Sequence, residues 1–349
     1  MMQRVLLTGA VAGVFAMALA GTAAARDLTV VSWGGAYQDA QREVYFKPFM
    51  DQKKIKMVEE SWDGGVGVLR AKVQGGNNNW DVVQVESEEL VLGCEEGLYE
   101  KIDWAKLGGK DRFLEDAVSD CGVGAIVYNF VLSYDKDRFK NGGPQNWADF
   151  WDVQKFPGKR ALRKGPKTNL EIALMADGVP FKDVYKTLKT DAGVERAFKK
   201  LDQLKPNIVW WEKGSQPPQL LASGEVAMTS AYNGRIDAAN KNDKKNFAIV
   251  WTNSLYTIDS WVIMKGSPNK AQAEQYLQFV SDPQHQKNLP TKIAYGVTVK
   301  AATPMIDKAI LSNLPTAPEN IATAIYIDEP FWVENLDKLN QRFNAWVAR

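Results

Sequence analysis

An aspartate interrupts a stretch that otherwise reads as a buried strand. In Ser254-Leu255-Tyr256-Thr257-Ile258-Asp259-Ser260-Trp261-Val262-Ile263 the β-branched and aromatic residues favour extended chain, and Asp259 puts a carboxylate among them. Tryptophan is abundant at twelve, with Trp33, Trp211, Trp251 and Trp261 at strand ends or turns. Large aromatics mostly serve a core. Beside isolated carboxylates they also make a site for an organic cation, because ring faces attract ammonium groups and carboxylates neutralise them.

Catalytic readings lack their residues. The single histidine, His285, follows Asp282-Pro283 at an expected helix start, so triads that need a histidine have no ordinary candidate. Gly-x-Ser-x-Gly, His-Glu-x-x-His and Gly-x-x-x-x-Gly-Lys-Ser/Thr are all absent from the chain. Gly65-Val66-Gly67-Val68-Leu69-Arg70 imitates a dinucleotide fingerprint, but Arg70 stands at the third glycine's place and no strand-like run leads into it. A helix starting at Gly64-Gly65 explains it as well.

The elements that must position Asp259 follow an α/β rhythm. Leu28-Thr29-Val30-Val31-Ser32-Trp33 is a strand that turns at Gly34-Gly35 into a helix carrying Ala36, Ala40 and Val44. Trp80 to Val85 is a second strand, followed by the acidic helix start Glu86-Ser87-Glu88-Glu89, and Gly124 to Asn129 is a third. Asn146 caps a short helix, and a crossing between domains is expected near residue 130. Beyond it come an amphipathic helix over Val194 to Leu204 stopped by Pro206, the strand Ile208 to Trp211, a short helix from Pro217, and the strand ending at Tyr232. A helix through Tyr276, Leu277 and Val280, and a last one bearing Trp332, Leu336, Leu339, Phe343 and Trp346 on one face, complete the pattern. Strands alternating with helices imply a mainly parallel sheet.

The chain has 349 residues, 45% hydrophobic, enough for two ordinary domains. Residues 1–25 read as a cleaved secretory signal: Arg4, then an apolar run from Val5 to Ala20, then Ala23-Ala24-Ala25, with cleavage near Ala25. A membrane anchor is the alternative, but the run is broken by glycines and falls short of the ~20 residues a spanning helix needs. Cleavage leaves 42 basic and 42 acidic side chains, a balance that argues against nucleic acid and anionic membranes as partners. The two cysteines, Cys94 and Cys121, are expected as a disulfide in an exported chain, with two free buried thiols as the alternative. No metal site or cofactor is expected.

The order of WGGAYQ, DVVQVESEEL, NWADFW, WWEKGSQPPQLLASGEVAMTSAYNGR, SLYTIDSWVI and IAYGVT resembles the periplasmic solute-binding proteins of ABC importers, in their spermidine/putrescine-binding branch. The resemblance covers essentially the whole mature chain. It implies a two-lobed periplasmic binding protein fold of type II, with a cleft between lobes joined by crossing strands: 26–130 plus 260–310 in the first lobe, 131–259 plus 311–349 in the second. It further implies a monomer that is no enzyme and that delivers a solute to an inner-membrane ABC permease. An enzyme on the same fold, or an adhesion or scaffold module, is the rival.

The resemblance carries a ligand set. Trp33, Gly34, Gly35 and Tyr37 match the family's first aromatic turn, Tyr232-Asn233-Gly234 its aromatic-Asn-Gly, Asp259-Ser260 its amine-contacting Asp-Ser, and Tyr295 its late tyrosine; Glu86 and Tyr256 complete the expected site. Three departures bear on the ligand. Thr257 stands where the family carries a tryptophan two residues before its aspartate. Ala161-Leu162-Arg163-Lys164-Gly165-Pro166-Lys167-Thr168 has no carboxylate where polyamine binders carry acidic residues, and Arg235 is a fixed cation able to hold a carboxylate bidentately. These imply a small zwitterion such as 4-aminobutyrate, its amine on Asp259 near Trp33 and Glu86 and its carboxylate on Arg235. A true diamine binder with a structural Arg235, or an Arg235–Asp259 pair, stays open at this point.

Overall fold

The computed structural model describes residues 26–76 and 78–349; the expected signal peptide, residues 1–25, lies outside them. The strands are β1 (Leu28–Ser32), β2 (Met57–Ser61), β3 (Val82–Val85), β4 (Gly122–Asp135), β5 (Arg160–Arg163), β6 (Ile208–Trp211), β7 (Met228–Tyr232), β8 (Phe247–Ile263) and β9 (Ile325–Tyr326). They form one nine-stranded sheet in the order β2-β1-β3-β8-β4-β7-β5-β6, with β9 beside β8.

The expectation of a mainly parallel sheet holds only in the wings. β2, β1 and β3 are parallel in one wing, and β7, β5 and β6 in the other. Between them β4 and β8 run antiparallel, from Gly122↔Val262 to Asp135↔Phe247. The reason is length: β4 has 14 residues, roughly 48 Å of extended chain, so it serves both wings and β8 returns beside it. β8 pairs with β3 at its far end, and β4 pairs with β7 at its own. Register shifts between Gly124 and Ile126 and between Phe130 and Leu132 add local twist on either side of the crossing.

Local chemistry sets the helices. Asn146 accepts from Asp149 N at 2.9 Å as expected, and Glu86 N donates to Glu89 Oε2 at 2.9 Å, so Glu89 ties the start of the helix Ser87–Glu95. The last helix, Glu329–Val347, buries Phe331, Trp332, Leu339, Phe343 and Trp346, and its Phe343 ring stands edge-on to Trp210 at 5.2 Å. β2 and the wholly buried helix Asn169–Ala176 were not foreseen. β2 carries charges on an edge strand, and the buried helix has no polar face to reveal its period.

Cys94 and Cys121 are joined, with Cα atoms 5.7 Å apart at a sequence separation of 27. Replacing both by alanine is expected to cost about 3 to 4 kcal/mol in chemical denaturation. Ligand affinity should be unchanged, because neither cysteine reaches the cleft described below.

Candidate functional site

The carboxyl ends of strands from both wings meet over the crossing strands and enclose a cavity of about 250 Å³. That is below the roughly 300–1,000 Å³ of drug-sized pockets and suits a small solute.

One wall follows β1. Gly34 and Gly35 have φ of 60° and 54°, left-handed values that side chains resist, and a Cβ on Gly35 would stand 2.9 Å from Arg235 Nη1. This turn aims two carbonyls at the opposite wing. Arg235, in the helix Asn233–Asn242 that follows β7, donates from Nη1 to Gly34 O at 2.8 Å and from Nη2 to Trp33 O at 3.0 Å. The guanidinium therefore spans the cleft. Gly234 permits this approach, since a Cβ there would lie 2.5 Å from the Tyr295 ring.

Aromatic rings line the space between. Trp33 stacks on Trp62 with centroids 5.1 Å apart, Tyr37 meets Tyr295 edge-on at 5.1 Å, and Tyr128 meets Tyr232 at 5.5 Å. Burial pushes the hydroxyls of Tyr37, Tyr128 and Tyr232 above the ordinary tyrosine value, so they remain protonated donors.

Asp259 stands opposite Ile126 on β4 and is 4% exposed. Its Oδ2 accepts one long bond from Gln84 Nε2, 3.3 Å, and its Oδ1 has no protein partner. Burial first, then the charges of Glu86 and Glu89, hold this carboxyl well above its usual range. Asp259 and Arg235 share the cavity and form no ion pair; both Nη groups of Arg235 donate to backbone carbonyls instead. Trp33 Nε1, Tyr128 Oη and Arg235 Nε are likewise buried without a partner. Asp259 Oδ1 and these donors thus lack a hydrogen bond of ordinary length, although the Trp33 side chain stands close enough to Asp259 to favour its ionised form and Arg235 close enough to Tyr295 to act on its hydroxyl.

Glu86 is in a different state. Its Oε1 lies 2.9 Å from Arg163 Nη1 and its Oε2 3.0 Å from Lys167 Nζ. Burial opposes ionisation, but these two cations outweigh it and bring the carboxyl down to about 2. Lys167 also binds Glu88. Glu86 thus lines the cavity already paired with two cations.

Trp33, Gly35, Tyr37, Glu86, Tyr232, Arg235, Asp259 and Tyr295 are all brought to this cavity. Tyr256 is not: three positions before Asp259 on a regular strand, it faces the other side of the sheet and packs on Tyr326 at 5.1 Å. Tyr128, Arg163 and Lys213 line the cavity and were missed. Arg163 ends β5, where a parallel strand would place a ligand-facing residue, so recognising that strand would have found it. His285 stacks on Phe279 at 3.8 Å, away from the cavity.

The bacterial extracellular solute-binding protein family matches residues 45–318. The chain is 49% identical over 334 residues to the gamma-aminobutyric acid-binding protein of Pseudomonas aeruginosa, covering 96% of this chain and 94% of that one. It belongs to the bacterial extracellular solute-binding proteins. Among solved structures, this solute-binding protein resembles the periplasmic binding protein MotA of A. tumefaciens B6 in complex with glucopine, with a TM-score of 0.87, 30% identity, and 92% of this chain and 100% of that chain covered. It also resembles the Atu4243-GABA receptor, with a TM-score of 0.80, 32% identity, and 93% and 98% covered. The solute-binding protein is accordingly a transport component rather than an enzyme. Among the described residues, no helix is long and apolar enough to cross a membrane.

Proposed function

We propose that this protein captures an ω-amino acid of the 4-aminobutyrate class, ammonium on Asp259 and carboxylate at Arg235, for delivery to an inner-membrane ABC permease. The observation that carries the reading is the pair of unpaired atoms in one small cavity: Asp259 Oδ1, an acceptor, and Arg235 Nε, a donor. A zwitterion satisfies both, whereas a buried polar group left without a partner costs about 1 to 3 kcal/mol. A diamine fits less well, because the other carboxylates on the wall are occupied: Glu86 by Arg163 and Lys167, Asp63 by Lys213 and Glu212 by Lys164. The 49% identical relative is named for gamma-aminobutyric acid, which agrees.

In this reading the protein works as a monomer in the periplasm after a leader ending near Ala25 is removed. Lobes of residues 26–130 with 260–310, and 131–259 with 311–349, open and close about the crossing strands. Trp33, Gly35 and Tyr37 face Tyr232, Arg235 and Tyr295 across the bound solute.

The test is calorimetry of the wild-type protein with 4-aminobutyrate, putrescine and spermidine, backed by thermal shift. At ~100 times its dissociation constant the true ligand adds ~2.7 kcal/mol of stability. Binding of 4-aminobutyrate with little or no diamine binding is expected. Tight diamine binding that survives Arg235→Ala would sink the zwitterion reading.

A further inference from the structure

A second cavity of about 170 Å³ lies directly behind the first, between the Gly64-Gly65 turn, the loop Lys164 to Lys167, and Leu336 and Asn340 of the last helix. The two cavities share Asp63, Glu86 and Arg163 in their walls. Of these three, Asp63 pairs with Lys213, whereas Arg163 and Glu86 pair with each other along the border of both cavities, Nη1 and Oε1 being 2.9 Å apart. On the far side, Lys167 is 6% exposed and pairs with both Glu86 and Glu88.

With Asp63 paired to Lys213 and Lys164 to Glu212, and the Glu89 carboxyl raised by burial to about 8, the charges left around this partition at neutral pH are Arg163 and Lys167 against Glu86 and Glu88, which balance. Taking Arg163 away leaves one net negative charge beside the ligand cavity and frees the side chain's volume on the border of the two cavities. Glu86 keeps Lys167 and the Tyr232 hydroxyl, 3.4 Å away, so it is not stranded.

We propose that Arg163 sets the length and the end-group charge of the ligand: by neutralising Glu86 and filling the border of the two cavities, it excludes solutes with a second ammonium group or a longer chain. This rests on the zwitterion reading above. Specificity here comes from a repulsive element as much as from attraction to the preferred solute.

The experiment compares wild type, Arg163→Gln and Arg163→Lys by calorimetry with 4-aminobutyrate, putrescine and spermidine. Arg163→Gln is expected to gain at least tenfold in absolute affinity for putrescine and spermidine, while Arg163→Lys, which keeps the charge, gains little. If Arg163→Gln shows no cooperative melt, Arg163→Met, neutral and of similar length, takes its place. A neutral variant that loses 4-aminobutyrate without gaining either diamine overturns the proposal, because that pattern belongs to a residue that merely holds the carboxylate. Wild type binding putrescine as tightly as 4-aminobutyrate would overturn the zwitterion reading itself, and the partition with it.

Discussion

Asp259→Asn is expected to abolish ligand-induced stabilisation while raising the melting midpoint of the empty protein. The two effects have one cause. Asp259 Oδ1 is buried with no partner, and Oδ2 has only the 3.3 Å bond from Gln84, so the empty site carries a carboxylate that folding desolvates without compensating. Asparagine keeps the shape and an acceptor for Gln84 but removes the charge, which stabilises the unliganded fold. With ligand present the sign reverses: a buried ammonium loses its counter-charge, at about 2 to 5 kcal/mol, or a drop of about thirtyfold or more in affinity. Thermal shift with and without 4-aminobutyrate reads both effects in one experiment. A variant that is destabilised when empty yet still responds to ligand would refute the assignment.

The same carboxyl predicts a pH dependence. Its folded-state value is raised, so its contribution to the stability of the empty protein is fully present below the ordinary carboxylate range and is lost as pH rises through the raised value. A bound ammonium stabilises the ionised form and lowers that value, so binding releases a proton between the ordinary and the raised value. Affinity should climb with pH across that window, with a buffer-dependent heat of binding, and Asp259→Asn should flatten the profile.

Asp259 was legible because charge in an otherwise apolar strand has no local explanation, and β8 proved to be a strand buried over its second half. The Trp33-Gly34-Gly35 turn was legible too, since two glycines between a strand and a helix announce a backbone that side chains cannot adopt. What stayed hidden depends on partners far away in the chain. The pairing of Glu86 with Arg163 and Lys167, 77 and 81 positions on, is set by the meeting of the wings. Nothing near Glu86 in sequence distinguishes a ligand-binding carboxylate from a neutralised one. The antiparallel centre was hidden for a similar reason: strand–helix alternation reports each wing, whereas the direction of β4 against β8 follows from how the chain passes between wings. Tyr256 belongs to the same strand as Asp259 yet lies on the other face of the sheet, against Tyr326, because alternate residues of a strand face opposite sides.

Arg235→Ala should cost the zwitterion at least a hundredfold in affinity, and the reason can be divided experimentally. The side chain does two things at once: Nη1 and Nη2 hold the carbonyls of Gly34 and Trp33 across the cleft, and Nε is left buried and unpaired in a residue that lines the cavity. Hydrogen bonds to a charged group contribute about 1.5 to 3 kcal/mol each, so losing the closing contacts alone would weaken every ligand. Losing the Nε contact weakens only a ligand with a carboxylate. n-Butylamine, which keeps the amine and lacks the carboxylate, separates the two: the closing contacts set the loss it suffers, and the additional loss suffered by 4-aminobutyrate measures the carboxylate contact. Arg235→Lys should rescue little, because a single ammonium cannot serve two carbonyls and a ligand in the planar arrangement the guanidinium provides. Equal losses for the amine and the amino acid would leave Arg235 as a latch between the wings and move the carboxylate contact elsewhere on the wall.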